Sequence, residues 1–313
     1  MWFWLSIATL LCWSGSDLFS KIGCRDNRDK YSHLKMVIAV GVVMGLHAAY
    51  EIFFNDVYIS WKIILTYLPV SLLYILSMAL GYVGLRYIEL SISSPICNAS
   101  GALVAILAIL TMGESYPPLV LVAIGLVCLG VIGLGIVEAK EDDDLRAARQ
   151  QAGNYKYAKS WLALALPIAY CLLDAAGTFA DSMVLEKIEG IVSTAGVASD
   201  YEASANVAYE LTFLLAGIVS FVYVVLIRRQ KLLPKAEGPK YVGAIFETAG
   251  QFAYIYAIAD SAHLAMSAPI ISAYCIASVI WSRIFLKEKL SWRHYIMIAL
   301  VVIGIVIMGV FDV

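Results

Sequence analysis

Residues 79–137 read ALGYVGLRYIELSISSPICNASGALVAILAILTMGESYPPLVLVAIGLVCLGVIGLGIV, and residues 253–311 repeat this pattern at a constant offset of 174 without a gap. Fourteen of the 59 aligned positions are identical. Apolar residues match easily by chance, so the informative identities are the rarer ones: Tyr82 with Tyr256, Ser93 with Ser267, Pro95 with Pro269, Glu114 with Glu288, Gly130 with Gly304, and Gly135 with Gly309. We interpret the chain as a duplication and expect two similar halves.

The composition indicates the environment of these halves. Hydrophobic residues make up 61% of the 313 residues and charged residues only 15%, with a mean hydropathy of +0.81. A water-soluble core of this length would lack the polar surface needed to cover it, so we predict an all-α integral membrane protein in contact with the lipid bilayer. A net charge of −2 gives no reason to expect a nucleic-acid partner.

Apolar segments of about 20 residues, long enough to cross a bilayer as helices, recur along the chain. We place ten of them, at residues 2–23, 34–54, 63–88, 91–112, 117–137, 160–185, 205–227, 241–260, 264–286 and 292–311. The predicted domains are a first five-helix repeat at 1–137, a charged cytoplasmic linker at 138–159 and a second five-helix repeat at 160–313. Residues 186–204 are predicted to form an acidic outer loop, either a plain connection or a lid.

The basic residues give an orientation. Of the 22 Lys and Arg residues, 20 lie in or beside odd-numbered loops, and only Lys62 and Lys187 fall in even ones. The positive-inside bias therefore predicts cytoplasmic odd-numbered loops and both termini outside. Because five helices per half is an odd number, the second half would enter the membrane inverted, as in many secondary transporters.

Two local patterns resemble the drug/metabolite transporter superfamily, and within it the ten-helix proteins with two EamA domains. The first is the run from Trp13 to Gly23, WSGSDLFSKIG, in which Trp13 and Lys21 match a W-G-x-x-x-x-x-x-K pattern. The second is an acid before a glycine-rich helix, at Glu114 and again at Glu288. The resemblance implies a metabolite transporter, whose substrate classes include amino acids, sugars, nucleotide-type metabolites and organic cations. Asp17 and the absence of a basic N-terminus depart from the family pattern.

Charged side chains inside predicted spans are the candidates for function, since each costs at least about 2.5 kcal/mol unless it is paired or faces water. Three spans place an aromatic residue and an acid on one helical face. These stripes are Trp13, Asp17 and Lys21 in the first span, Tyr170, Asp174, Thr178 and Asp181 in the sixth, and Glu247, Gln251 and Tyr254 in the eighth. Three further aromatic residues lie well inside spans, namely Tyr74, Tyr82 and Tyr274.

We expect these thirteen residues to bind substrate or couple its transport around a central aqueous cavity. A structural role is the alternative, with Asp17 paired to Lys21 and with Asp181 and Glu247 hydrated near a membrane surface. His47 is either a proton carrier or a satisfied interfacial histidine. The A-Y-E sequences ending at Glu51 and Glu210 are interpreted as a coincidence.

Carboxylates beside aromatic faces suit a small cationic or zwitterionic organic metabolite. The predicted function is secondary transport by alternating access, with proton coupling through an intramembrane carboxylate such as Asp17, Asp174 or Glu247. The alternatives are an integral membrane enzyme and a non-transporting receptor or scaffold. No H-x-x-x-H, H-E-x-x-H or C-x-x-C motif occurs, so we predict no catalytic residue, no metal site and no cofactor. The sequence allows a monomer or a homodimer.

Overall fold

The computed structural model describes residues 1–24, 29–87, 90–111, 116–139, 161–196, 199–286 and 290–310. The acids at Glu114 and Glu288 and most of the predicted linker lie outside these residues. Regular structure in the described ranges is helical. The α-helices are α1 (Trp2–Cys24), α2 (Ser32–Phe54), α3 (Trp61–Tyr87), α4 (Leu90–Cys97), α5 (Ser100–Thr111), α6 (Pro118–Ala139), α7 (Trp161–Ala195), α8 (Tyr201–Phe221), α9 (Pro234–Ala259), α10 (Leu264–Ser272), α11 (Tyr274–Trp281) and α12 (Trp292–Val310).

Helices lie at all ten positions where the sequence predicts a span. The predicted fourth span is divided into α4 and α5, and the ninth into α10 and α11. Eight of the segments in the described ranges are long and apolar enough to cross a membrane. The remaining two, α1 and α9, carry polar and charged side chains in their interiors, including Asp17 and Glu247.

The predicted outer loop at 186–204 is wrong over its first half. Helix α7 continues to Ala195. Its extension is amphipathic, because Leu185, Ile188 and Val192 recur at helical spacing and are buried in the core while the acids between them face outward. The charged residues of this segment suggested a loop, but one stripe of apolar residues is enough to pack a helix against its neighbours.

Helices from the two halves of the chain pack against each other. The most extensive pairs are α1 with α9, α2 with α8, α6 with α12, α3 with α7, and α2 with α9. Glycines allow the closest of these approaches: an added Cβ at Gly41 of α2 would lie 2.9 Å from the Cα of Gly217 on α8. Such small residues let helix backbones meet where apolar burial alone gives no drive for association within lipid.

The α6–α12 pair shows the same contact twice. A Cβ at Gly130 would meet Val301 at 2.4 Å, and a Cβ at Gly304 would meet Val127 at 2.7 Å. Both pairs of equivalent residues are separated by the offset of 174, since 130 + 174 = 304 and 127 + 174 = 301. The contact therefore repeats with the roles of the two helices exchanged.

Candidate functional site

A cavity of about 80 Å³ lies where helices of both halves converge. This space is large enough to hold water. Eleven of the thirteen predicted site residues line it, namely Trp13, Asp17, Tyr74, Tyr82, Tyr170, Asp174, Thr178, Glu247, Gln251, Tyr254 and Tyr274. The spacing of four residues on α1, α7 and α9 turns these side chains toward one common space.

Asp17 of α1 is held by hydroxyls from two other helices. Ser94 of α4 donates to its Oδ2 atom at 2.6 Å, and Ser278 of α11 donates to the same atom at 2.9 Å. Charge-assisted bonds of this kind are stronger than bonds between neutral groups. The predicted pairing of Asp17 with Lys21 does not form, since Asp17 is held by the two serines and Lys21 donates to the carbonyl oxygen of Leu85.

Asp174 of α7 accepts a hydrogen bond of 2.7 Å from Ser100, the first residue of α5. The sequence analysis did not select Ser94, Ser100 or Ser278. A signal was present for two of them, since the run SISSPICNAS around Pro95 is polar within an otherwise apolar span. The break between α4 and α5 lies inside this run and presents its small polar side chains to the cavity.

Aromatic rings form one wall of the cavity. The ring centroid of Trp13 lies 5.0 Å from that of Tyr254 and 5.8 Å from that of Tyr274. Gly250 makes room for the indole, because a Cβ at this position would lie 2.4 Å from Trp13 Cδ1. Gly177 does the same for Tyr74, whose ring an added Cβ would approach to 2.9 Å.

Several donors on the cavity wall have no hydrogen-bond partner among the described residues. These are the indole nitrogen of Trp13, the amide nitrogen of Gln251 and the hydroxyl of Tyr82. Buried donors are normally satisfied by protein or by water. The cavity therefore offers unpaired donors as well as carboxylates to a polar occupant.

Two predicted site residues lie off the cavity wall. Lys21, one turn after Asp17 on α1, donates an Nζ hydrogen to the carbonyl oxygen of Leu85 on α3 at 2.9 Å. Asp181 lies almost two turns beyond Asp174 and is fully buried, so it is not hydrated at a membrane surface. A helical stripe runs the full length of a span, whereas the cavity occupies only part of it.

A separate cluster brings together His47, Glu51 and Glu210. His47 Nδ1 lies 2.8 and 3.0 Å from the two carboxylate oxygens of Glu210 on α8. Its Nε2 lies 3.5 Å from Glu51 on its own helix. Glu210 also accepts a bond of 3.0 Å from Asn206. Both acids of the A-Y-E sequences thus interact with one histidine, a juxtaposition that the sequence analysis missed because 163 residues separate His47 from Glu210.

A second ion cluster joins the start of α2 to the start of α9. Lys35 lies 2.8 Å from Asp29 and 3.4 Å from Glu237, and Glu237 lies 2.7 Å from Lys240. Partial burial disfavours the charged form of Asp29, but the hydrogen bonds from Lys35 and from the backbone of Tyr31 outweigh it. The pKa of Asp29 therefore lies below its ordinary value. Over the described part of the chain, no group of three His, Cys, Asp or Glu side chains is arranged to hold a metal ion.

Membrane-crossing helices around a polar and aromatic cavity define a multi-pass membrane protein. The model of the EamA-like transporter family matches residues 1–136 and 190–310. The chain belongs to this family and hence to the drug/metabolite transporter superfamily, whose members are membrane transporters of small molecules.

A search of solved structures supports the fold. A protein described only as "Crystal structure of protein" aligns with 99% of this chain and 96% of its own, with a TM-score of 0.62 and 12% sequence identity. At this identity the similarity concerns the fold alone. A search of curated proteins finds no match.

Proposed function

We propose that the protein is a secondary transporter that carries a small cationic or zwitterionic organic metabolite by alternating access around the central cavity. The observation that carries the substrate class is the set of three carboxylates, Asp17, Asp174 and Glu247, on the wall of one aromatic cavity. Among the described residues that line the cavity there is no Lys or Arg. Carboxylates and ring faces both favour a positive charge.

The two halves act as inverted repeats of five spans each, at 1–137 and 160–313, joined by the linker at 138–159. The pattern of helix contacts supports this arrangement. Exchange of the halves maps the α1–α9 pair onto α7–α3, and maps α2–α8 and α6–α12 onto themselves. The reciprocal glycine contacts of α6 and α12 obey the same exchange. Two similar halves that meet at one site give a physical basis for alternating access.

With ten spans, the distribution of basic residues supports cytoplasmic odd-numbered loops and both termini outside. The ion cluster of Lys35 and Lys240 then lies on the cytoplasmic side. A site built from both halves of one chain is complete in the monomer, although a homodimer is compatible with it.

Proton coupling follows from the chemistry of intramembrane carboxylates. A carboxyl group in lipid is costly when it is ionised and unpaired. It therefore favours a proton when the substrate is absent and exchanges it for the charge of a cationic substrate. Such competition links the proton gradient to movement of the substrate.

A thermal-shift screen of the purified protein in detergent tests the substrate class. The panel consists of amines, quaternary ammonium compounds, amino acids, nucleosides and sugars, each at pH 6 and pH 8. A ligand at 100 times its dissociation constant adds roughly 2.7 kcal/mol of stability. We expect stabilisation by cations or zwitterions, and a larger effect at pH 8 because protons compete less. Stabilisation only by neutral or anionic compounds would contradict the proposed substrate class.

The Glu247→Gln variant tests the role of the cavity carboxylates. Loss of one charged contact costs about 1.5 to 3 kcal/mol, so we expect the dissociation constant of the stabilising cation to rise by roughly 10- to 100-fold. Glu189→Gln is the matched control, since Glu189 is exposed on α7. This variant should bind the ligand with the same affinity as the wild type. Unchanged affinity in both variants would remove Glu247 from the site.

A further inference from the structure

We infer that Asp181 is a proton-binding site, and that the hydroxyls of Tyr74, Tyr254 and Thr178 connect it to the substrate cavity. The role of this proton in transport rests on the proposed function, but proton binding by Asp181 can be tested without a substrate. Asp181 adds a second proton site behind the cavity wall, separate from the carboxylates that face the substrate.

The surroundings of Asp181 favour the neutral form of its side chain. Asp181 has no exposed surface and lies near the middle of the Ala165–Ala195 span. Its Oδ2 atom accepts a hydrogen bond of 3.3 Å from the Tyr74 hydroxyl. Its Oδ1 atom has no hydrogen-bond partner among the described residues. An ionised carboxylate in such a place would be desolvated, with no cation among its hydrogen-bond partners.

No described basic side chain compensates the charge. The groups of α3 that act on the Asp181 carboxyl are the hydroxyls of Tyr67 and Tyr74. Tyr67 is fully buried on the same helix as Tyr74, and its hydroxyl has no hydrogen-bond partner among the described residues. From α9, Tyr254 faces the same space.

The described charged side chains of the surrounding helices are engaged or exposed elsewhere. Lys62 is exposed at the start of α3, and on α7 itself Glu186, Lys187 and Glu189 are exposed. On α8, Glu202 lies in the first turn, and Glu210 contacts His47. At the start of α9, Lys235 is exposed and Glu237 pairs with Lys240. Asp174 and Glu247 line the cavity, and the described side chains of α4 and α5 include no charged residue. A proton is therefore the counter-charge available at this position.

A chain of hydroxyls runs from Asp181 to the cavity. The Tyr74 hydroxyl is hydrogen-bonded to that of Tyr254 and lies 3.2 Å from Thr178 Oγ1. The Tyr254 hydroxyl also lies 3.2 Å from Thr178 Oγ1. Tyr74, Tyr254 and Thr178 all line the cavity, whereas Asp181 does not.

The hydrogen bonds of this chain have a direction, because each hydroxyl carries only one proton. A phenol carries one proton, so the Tyr74 hydroxyl donates to only one of its three neighbours at a time. When Asp181 is ionised, Tyr74 donates to it, and the oxygen of Tyr74 accepts a bond from Tyr254. When Asp181 is protonated, its own O–H donates to Tyr74, and Tyr74 donates onward to Tyr254 or Thr178.

The two states present different wall chemistry to the substrate. With Asp181 ionised, hydroxyl protons point away from the cavity and oxygen lone pairs are left to accept from a cation. With Asp181 protonated, the hydroxyl protons point toward the cavity and disfavour a cation. A proton moves along the chain when each hydroxyl oxygen accepts a proton from one neighbour and releases its own proton to the next. No hydroxyl therefore gains or loses charge overall. Hydrogen-bonded chains of this kind polarise one another, which couples the two sites.

Infrared difference spectroscopy tests the proton site on the full-length protein in lipid, without substrate, during a titration from pH 5 to pH 9. A protonated carboxyl has a C=O stretching band that an ionised one lacks. We expect loss of one such band in Asp181→Asn, and a change in its frequency in Tyr74→Phe because the hydrogen bond is removed. Asp200→Asn is the matched control, since Asp200 accepts a tyrosine hydroxyl from Tyr256 at 2.9 Å but is exposed.

Identical carboxyl bands in wild type and Asp181→Asn would overturn the proton site. If Asp181→Asn does not fold, Tyr74→Phe decides: a displaced band supports the inference and an unmoved band overturns it. Because no ligand is present, a failed search for substrates leaves this result intact.

The coupling has a second readout, in the cation that stabilises the protein most in the thermal-shift screen. In wild type its stabilisation should differ between pH 6 and pH 8. We expect at least half of that difference to be lost in Asp181→Asn, while the Asp200→Asn control keeps it. A full pH difference in Asp181→Asn would overturn the link between Asp181 and the cavity.

Discussion

Replacement of Gly304 by alanine tests the close contact between α6 and α12. The new Cβ would lie 2.7 Å from the backbone oxygen of Ala123 and 2.7 Å from the Val127 side chain. Ordinary van der Waals contact begins at 3.4 Å, so the two helices must separate by about 0.7 Å, the difference between these two distances. A backbone oxygen cannot rotate aside as a side chain can.

The size of the effect follows from two opposing contributions. Insertion of a methyl group into a packed contact costs about 1 to 3 kcal/mol. Alanine in place of glycine within a helix returns up to about 1 kcal/mol. Gly125 on α6 is the matched control, since its added Cβ would meet nothing within 4 Å. We expect Gly304→Ala to be less stable than Gly125→Ala by about 1 to 3 kcal/mol.

Thermal melting in detergent, followed by circular dichroism, measures both variants under the same conditions. Gly130→Ala should resemble Gly304→Ala, because a Cβ at Gly130 would meet the backbone oxygen of Met297 at 2.8 Å in the equivalent contact. If Gly304→Ala melts at or above the temperature of Gly125→Ala, the close packing of α6 and α12 is refuted.

Two further predictions concern the ion clusters. The pKa of Asp29 is lowered in the folded state, so its contribution to stability is present above the unfolded value of about 3.9 and is lost as the pH falls toward the lower folded value. Asp29→Asn should therefore lose less stability than wild type when melting is compared at pH 6 and pH 3; an equal loss would contradict the pairing with Lys35. His47→Ala removes a hydrogen-bond partner of the fully buried Glu210, and we expect a loss of about 3 kcal/mol, the lower end of the range for a broken buried pair. Adding Glu210→Gln should recover part of this loss in the same melting assay, and no recovery would argue against the contact between His47 and Glu210.

The spacing of polar and aromatic residues along single helices predicted eight of the residues that line the cavity. Trp13 and Asp17, or Asp174 and Thr178, are four residues apart, and an α-helix must place such pairs on one face. A charged side chain is costly in lipid, so the helical faces that carry these residues were expected to meet at a common cavity. Local geometry and solvation were sufficient for that part of the prediction.

The partners of these residues required the tertiary structure. Ser278 is 261 residues from Asp17, and small hydroxyl residues are common in membrane helices, so nothing in the local sequence marks it. The same holds for the His47 cluster. Lys21 and Asp181 lie off the cavity wall because the cavity extends only part of the way along each helix. Helical periodicity predicts the face on which a residue lies but not the extent of the cavity.

Composition, the length of the apolar segments and the period of the helix are enough to predict an all-helical membrane protein with a duplicated pattern and three polar stripes. The pairing of the helices, the division between α4 and α5, and the hydrogen bonds of Tyr74 to Asp181 and Tyr254 emerge only from the folded arrangement. Lipid-facing and buried surfaces are both apolar in a membrane, so the rotation and pairing of helices are set by close packing and hydrogen bonds between residues far apart in the chain.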